Sequence, residues 1–215
     1  MEKTDGSVTT ENSSPRRHGL LKVGSAAAFM LMALFLIGIT GISGGVNGWS
    51  FLQENWLMVL FKINASFQRA SPDLLNVLNL LDIVIILLFG LLFLALFAAL
   101  RNTNKIWSAI TASLPFLGLI LFLITHTAGR SALLVGGLIF SIIMLRSDTF
   151  NKVSAYTGIV ASTLLFFAGD LGTALFPPSN VIAILIGIGY VLWIVWFFLI
   201  GRRLFRLGNE ISRLV

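Results

Sequence analysis

The run LLDIVIILLFGLLFLALFAAL at residues 80–100 decides the fold class of this chain. It carries one charge, Asp82 near its start, and stops at Arg101. A helix rises about 1.5 Å per residue, so a run of this length reaches across a hydrocarbon core of about 30 Å. Its side chains are apolar on every side rather than along one stripe, as suits a helix with no aqueous face.

Outward from this run, five more stretches read the same way: about 23–43, 106–125, 128–145, 153–175 and 181–200. Charge or turn residues bound them. Arg101 to Lys105 lies between the second and third runs, Arg146 to Lys152 between the fourth and fifth, and Pro177-Pro178-Ser179-Asn180 before the sixth. Composition agrees: 57% of the 215 residues are hydrophobic and 11% charged, with a mean hydropathy of +0.94. Soluble domains carry about 25% charged residues. The expected fold is an all-α integral membrane bundle of six transmembrane helices over residues 20–207. A disordered polar tail (1–19) precedes it and a short tail (208–215) follows.

Basic residues set the expected orientation. Lys3, Arg16, Arg17 and Lys22 precede the first run. Arg101, Lys105, Arg146 and Lys152 fill two loops, and Arg202, Arg203, Arg206 and Arg213 follow the sixth run. Six crossings put these 12 of the 15 basic residues on one side, leaving Lys62, Arg69 and Arg130 on the other. Positive charge accumulates on the cytoplasmic side, so both ends are expected there, in the cell membrane. The net charge of +6 then serves orientation and anionic head groups, with Arg202, Arg203 and Arg206 as lipid contacts, and no nucleic acid. Arg16-Arg17 ahead of an apolar run resembles an export signal, but a 20-residue run without a small-x-small cleavage site reads as a retained anchor.

The longest connection, about 44–79, falls on the outer side. Within it Leu52, Trp56, Val59, Leu60 and Ile63 recur at helical spacing over residues 50–63, too short to span. Two readings stay open: a helix lying in the outer interface, with Trp49 and Trp56 at head-group level, or one packed over the bundle mouth. Asn64-Ala65-Ser66 forms a glycosylation triplet on that side.

Absent residues exclude chemistry. Without cysteine there is no disulfide, iron–sulfur cluster or thiolate nucleophile. The two histidines, His18 and His126, do not furnish a bis-histidine haem or a catalytic zinc site, so neither metal nor cofactor is expected. No lysine lies inside a run to hold a retinal Schiff base.

Ionisable groups at membrane depth are costly and mark sites worth examining. Asp82, with Asn79 one turn before it, His126, Arg130 and Asp170 all fall in the outer half. Ser131 to Leu145 is too short a run to cross the core alone, which draws Arg130 below the head groups. Arg130 is expected to pair with Asp170 or Asp82, fastening the outer helix ends. The sharper alternative is an outward-facing polar pocket that binds a small solute or relays a proton, with His126 titrating. Enzymatic readings fit poorly. Gly169-Asp170 suggests an aspartyl protease, but Phe167 replaces the usual glycine and no Tyr-Asp partner exists at Asp82. Ser131 near His126 lacks a nucleophile elbow. No internal repeat relates the two halves, as many transporters would show.

Small residues four apart, among them Gly24/Ala28, Gly137/Ser141 and Gly158/Ser162, offer close helix approaches, and Pro115 is expected to kink the third helix. Asn79-Leu80-Leu81-Asp82, Phe93 through Arg101, Met144-Leu145-Arg146-Ser147, then Phe150, Lys152, Ala155-Tyr156 and Gly158, and the ending from Trp196 to Leu207, have a familiar cast. Over roughly 75–207 they resemble a group of uncharacterised prokaryotic multi-pass membrane proteins built on a domain of unknown function. That resemblance implies a helical bundle and carries over no active residue. The expected role is structural or accessory, through lipids, a membrane-protein partner or a homo-oligomer. A transporter or sensor is the second reading and an intramembrane enzyme the third.

Overall fold

The computed structural model describes residues 15–43, 72–124, 126–172, 175 and 179–212, which form helices and connecting turns without a strand. The helices are α1 (Pro15–Ser43), α2 (Pro72–Leu100), α3 (Lys105–Ile124), α4 (His126–Leu145), α5 (Lys152–Leu164) and α6 (Asn180–Ser212). A π-helical stretch, Leu165–Gly172, continues α5. Among the described residues, five segments are long and apolar enough to cross a membrane: His18–Leu36, Ile83–Leu100, Ala128–Leu145, Lys152–Gly172 and Asn180–Glu210. The apolar run of α3, Lys105–Leu121, is shorter. The segment 50–63, with its expected interfacial helix, and the triplet at Asn64 lie outside the described residues, as do residues 1–14.

Three helix ends differ from the sequence reading. α1 begins at Pro15, inside the stretch expected as tail, and α2 at Pro72 rather than near 80. Proline is pre-organised for a first helical position, where its missing N–H costs nothing. α6 runs through Arg202 and Arg206 to Ser212, into the expected tail. The reason is packing: Leu204 and Leu21 are buried, and the His18 imidazole bonds the Gly208 carbonyl, so the start of α1 and the end of α6 support each other. Short polar caps set the loops. The Asn104 side chain accepts from the Trp107 N–H at 3.2 Å, and that of Asn151 from the Val153 N–H at 3.2 Å.

Each helix packs against its successor, and α6 returns to α1, so the helices form a closed ring in sequence order. Contact between the first turns of α1 and the last of α6 makes those two antiparallel. The ring's middle is filled by aromatic side chains. Trp193 sits 5.6 Å from Phe35 and 5.4 Å from Phe89, and Phe93 lies 5.0 Å from Phe140, ring centre to centre. Such pairs are worth about 0.5–1.5 kcal/mol beyond area burial. In a bilayer, where lipid gives helices no hydrophobic drive to associate, close van der Waals fit of this kind would carry much of the packing.

Glycine permits that fit at two seams. A Cβ at Gly24 would collide with the Ala95 methyl, and one at Gly158 with the Ser141 hydroxyl and the Trp196 indole. Beside Gly158, the Trp193 indole N–H donates to Ser162 Oγ at 3.2 Å and the Ser141 hydroxyl to the Gly137 carbonyl at 2.8 Å. Pro115 lies within α3. The neighbouring Thr111 and Ser113 hydroxyls donate to the Trp107 and Ile110 carbonyls, not to the Thr111 carbonyl that proline leaves without its helical donor.

Candidate functional site

The two ends of the ring differ in how they treat charge. At the end formed by the start of α1, the α2–α3 and α4–α5 turns and the end of α6, seven basic side chains stand exposed: Lys22, Arg101, Lys105, Arg146, Lys152, Arg202 and Arg206. Asp148 and Glu210 are the acids among the described residues there, and both are exposed. Arg203 differs from its neighbours. It is half-buried, its Nε donates to the Thr149 carbonyl at 2.6 Å, and its Nη1 lies 3.9 Å from Glu210. Arg203 therefore ties α6 to the α4–α5 turn, while Arg202 and Arg206 stand exposed.

At the opposite end α4 and the π-helical stretch form one clasp. Arg130 Nη2 donates to Asp170 Oδ1, and the Ser131 hydroxyl donates to Asp170 Oδ2 at 2.5 Å. Both carboxylate oxygens are thus engaged, one by charge and one by a hydroxyl. The side chains retain 16% and 4% of their exposure, so the pair is withdrawn from solvent on the acid's side above all. Tyr190 of α6 is also buried. The Arg130 guanidinium Nε is buried without a hydrogen-bond partner among the described residues.

The backbone explains why Asp170 meets Arg130. A π turn is wider than an α turn, so residues after Leu164 are rotated from where a continued α-helix would set them. Asp170 and Gly169 are buried in consequence, and Phe167 and Leu171 face outward. Arg130 stands one turn into α4, a turn from His126.

Of the residues singled out in the sequence, the structure joins Arg130 and Asp170. His126 opens α4, and Asn79 and Asp82 lie in the first half of α2, a helix that neighbours α1 and α3 rather than α5. Nothing beyond these backbone positions is described for the three. Ser131, considered above as a nucleophile, instead holds the acid. The features not anticipated are the π-helical stretch and the role of Ser131. The adjacency of Ser131 to Arg130 was the available signal for the second of these. No three His, Asp or Glu side chains among the described residues converge as a metal set.

Fold and site together define an all-helical protein, several of whose helices can cross a membrane, with a largely buried ion pair at one end and a basic surface at the other. No protein-family model matches the chain, and neither a curated protein nor a solved structure is detectably similar to it.

Proposed function

We propose that the chain is a six-span protein of the cell membrane, both ends cytoplasmic, serving as a structural or accessory component that acts through lipids or membrane partners. The observation that carries this reading is the asymmetry of charge: exposed basic residues gather at one end of the ring, and Arg130 at the other is neutralised and withdrawn. Positive charge left exposed belongs on the cytoplasmic side. α3 supplies the sixth crossing. Its 20 residues, Lys105–Ile124, make about 30 Å of helix. Arg202 and Arg206, exposed near the end of α6, engage anionic head groups at about 1 kcal/mol each.

The accessory role draws on the state of Asp170. A carboxylate with both oxygens occupied and 4% of its side chain exposed has no free face for a solute. A second reading, a proton-linked or small-solute transporter or sensor, draws on the π-helical stretch and the orphan Arg130 Nε, since π turns recur at functional sites. It requires Asp170 to leave Arg130 during a cycle.

Two measurements decide between these. Vesicle binding by the purified chain should favour anionic over zwitterionic lipid, and Arg202→Gln with Arg206→Gln should reduce that preference. Proteoliposomes carrying a pH-sensitive dye should show no proton flux attributable to the protein. Flux abolished by Asp170→Asn would replace the accessory reading with the transporter.

A further inference from the structure

At the basic end a groove of about 380 Å³ opens between α3 and α4, lined among others by Thr103, Asn104, Trp107, Ile139, Ile142 and Arg146. Its lining is divided by depth. Thr103, Asn104 and Arg146 sit at the level of the turns, where Arg101 and Lys105 add further exposed charge. Ile139 lies seven residues before Arg146 on α4, about 10 Å deeper along the helix. Ile142 and Trp107 are 44% and 53% exposed, so the deeper part presents an apolar wall outward. No acid among the described residues pairs with Arg146.

We propose that this groove binds a single anionic phospholipid, its phosphate against Arg146 and the first part of an acyl chain along Ile139 and Ile142. The proposal rests on the membrane reading above, which puts this end at an anionic leaflet. Charge complementarity selects the occupant. A guanidinium fork matches phosphate oxygens, and the Thr103 and Asn104 side chains offer neutral polar groups beside it. A free phosphate would leave the isoleucine wall uncovered, and a zwitterionic lipid would bring a second cation towards Arg146. An exposed indole at this depth is the residue that membrane proteins place between head groups and chains. The site lies between α3 and α4, apart from the C-terminal arginines on α6.

Native mass spectrometry of the full chain in detergent, titrated with phosphatidylglycerol or with phosphatidylcholine of the same chains, tests this. The expected result is one phosphatidylglycerol retained about fivefold more tightly than phosphatidylcholine, the factor that about 1 kcal/mol per basic residue implies. Arg146→Gln, at an exposed position that should fold normally, removes the preference. Ile142→Gln weakens the same retention, and Lys152→Gln, which deletes one charge from the same end outside the groove, keeps it. Displacement by inorganic phosphate would overturn the proposal in favour of a simple anion site. A preference surviving Arg146→Gln but lost with Arg202→Gln and Arg206→Gln would overturn the groove and leave the lipid-facing role of the basic end standing. Loss of the preference in Lys152→Gln to the same degree would reduce the groove to diffuse charge.

Discussion

The seam between α5 and its neighbours is built in two different ways along its length. Near the basic end, Gly158 lets α5 touch Ser141 of α4 and Trp196 of α6 so closely that a methyl group has no room. Eleven residues on, a Cβ at the buried Gly169 of Leu165–Gly172 would meet nothing within 4 Å. One step later Asp170 takes Arg130 and Ser131. Close steric fit holds the first region, and one ion pair with a supporting hydroxyl holds the second. In a membrane these solutions are not equivalent. Dispersion contacts give way in small increments, whereas a charge that loses its partner at depth has no water to turn to.

The largest expected effect therefore lies in the clasp. Asp170→Ala leaves the Arg130 guanidinium uncompensated and should cost about 3 kcal/mol or more, read by SDS titration in mixed micelles. Arg130→Ala added to it should cost little more, because the stranded charge goes too. Strictly additive losses would mean that the two residues act independently, and the contrast between the regions would dissolve.

A smaller loss, about 1–3 kcal/mol, is expected for Gly158→Ala, which forces the Trp196 indole or the Ser141 hydroxyl aside. The matching change at the other region, Gly169→Ala, should fall within about 0.5 kcal/mol or stabilise slightly, since alanine loses less chain freedom on folding. If both alanines cost the same in that titration, the far region is as tightly packed as the near one and the clasp is not what holds it.

Much of this was legible in the sequence, for identifiable reasons. Long apolar runs between charged turns mark helices whatever their partners, so the helical architecture follows from α2 outward. The pairing of Arg130 followed from length alone: the run from Ser131 to Leu145 was too short, so the arginine had to enter the membrane and find an acid. The sequence left Asp170 and Asp82 as the acids within its reach. The π-helical turn that aims it was not legible, because it arises where α5 must satisfy α4 and α6 at once, and local sequence does not encode that compromise. The core tryptophans were equally hidden. On α6 apolar residues surround the helix, so no stripe distinguishes buried Trp193 and Trp196 from exposed Val191 and Val195. The helix ends were missed because charge was read as a boundary, whereas Lys22 and Arg202 keep their heads in solvent while Leu21 and Leu204 beside them pack.

The central claim is that the two ends of this ring lie on opposite sides of a membrane, with the basic end inside. Because the chain contains no cysteine, single substitutions report on one position each. Asp148→Cys in the exposed α4–α5 turn and Ser179→Cys, exposed just before α6, lie at opposite ends of the helices that separate them. With an impermeant maleimide on intact cells, Ser179→Cys should label at once and Asp148→Cys only after permeabilisation. Labelling of both before permeabilisation, or of Asp148→Cys alone, would contradict the account.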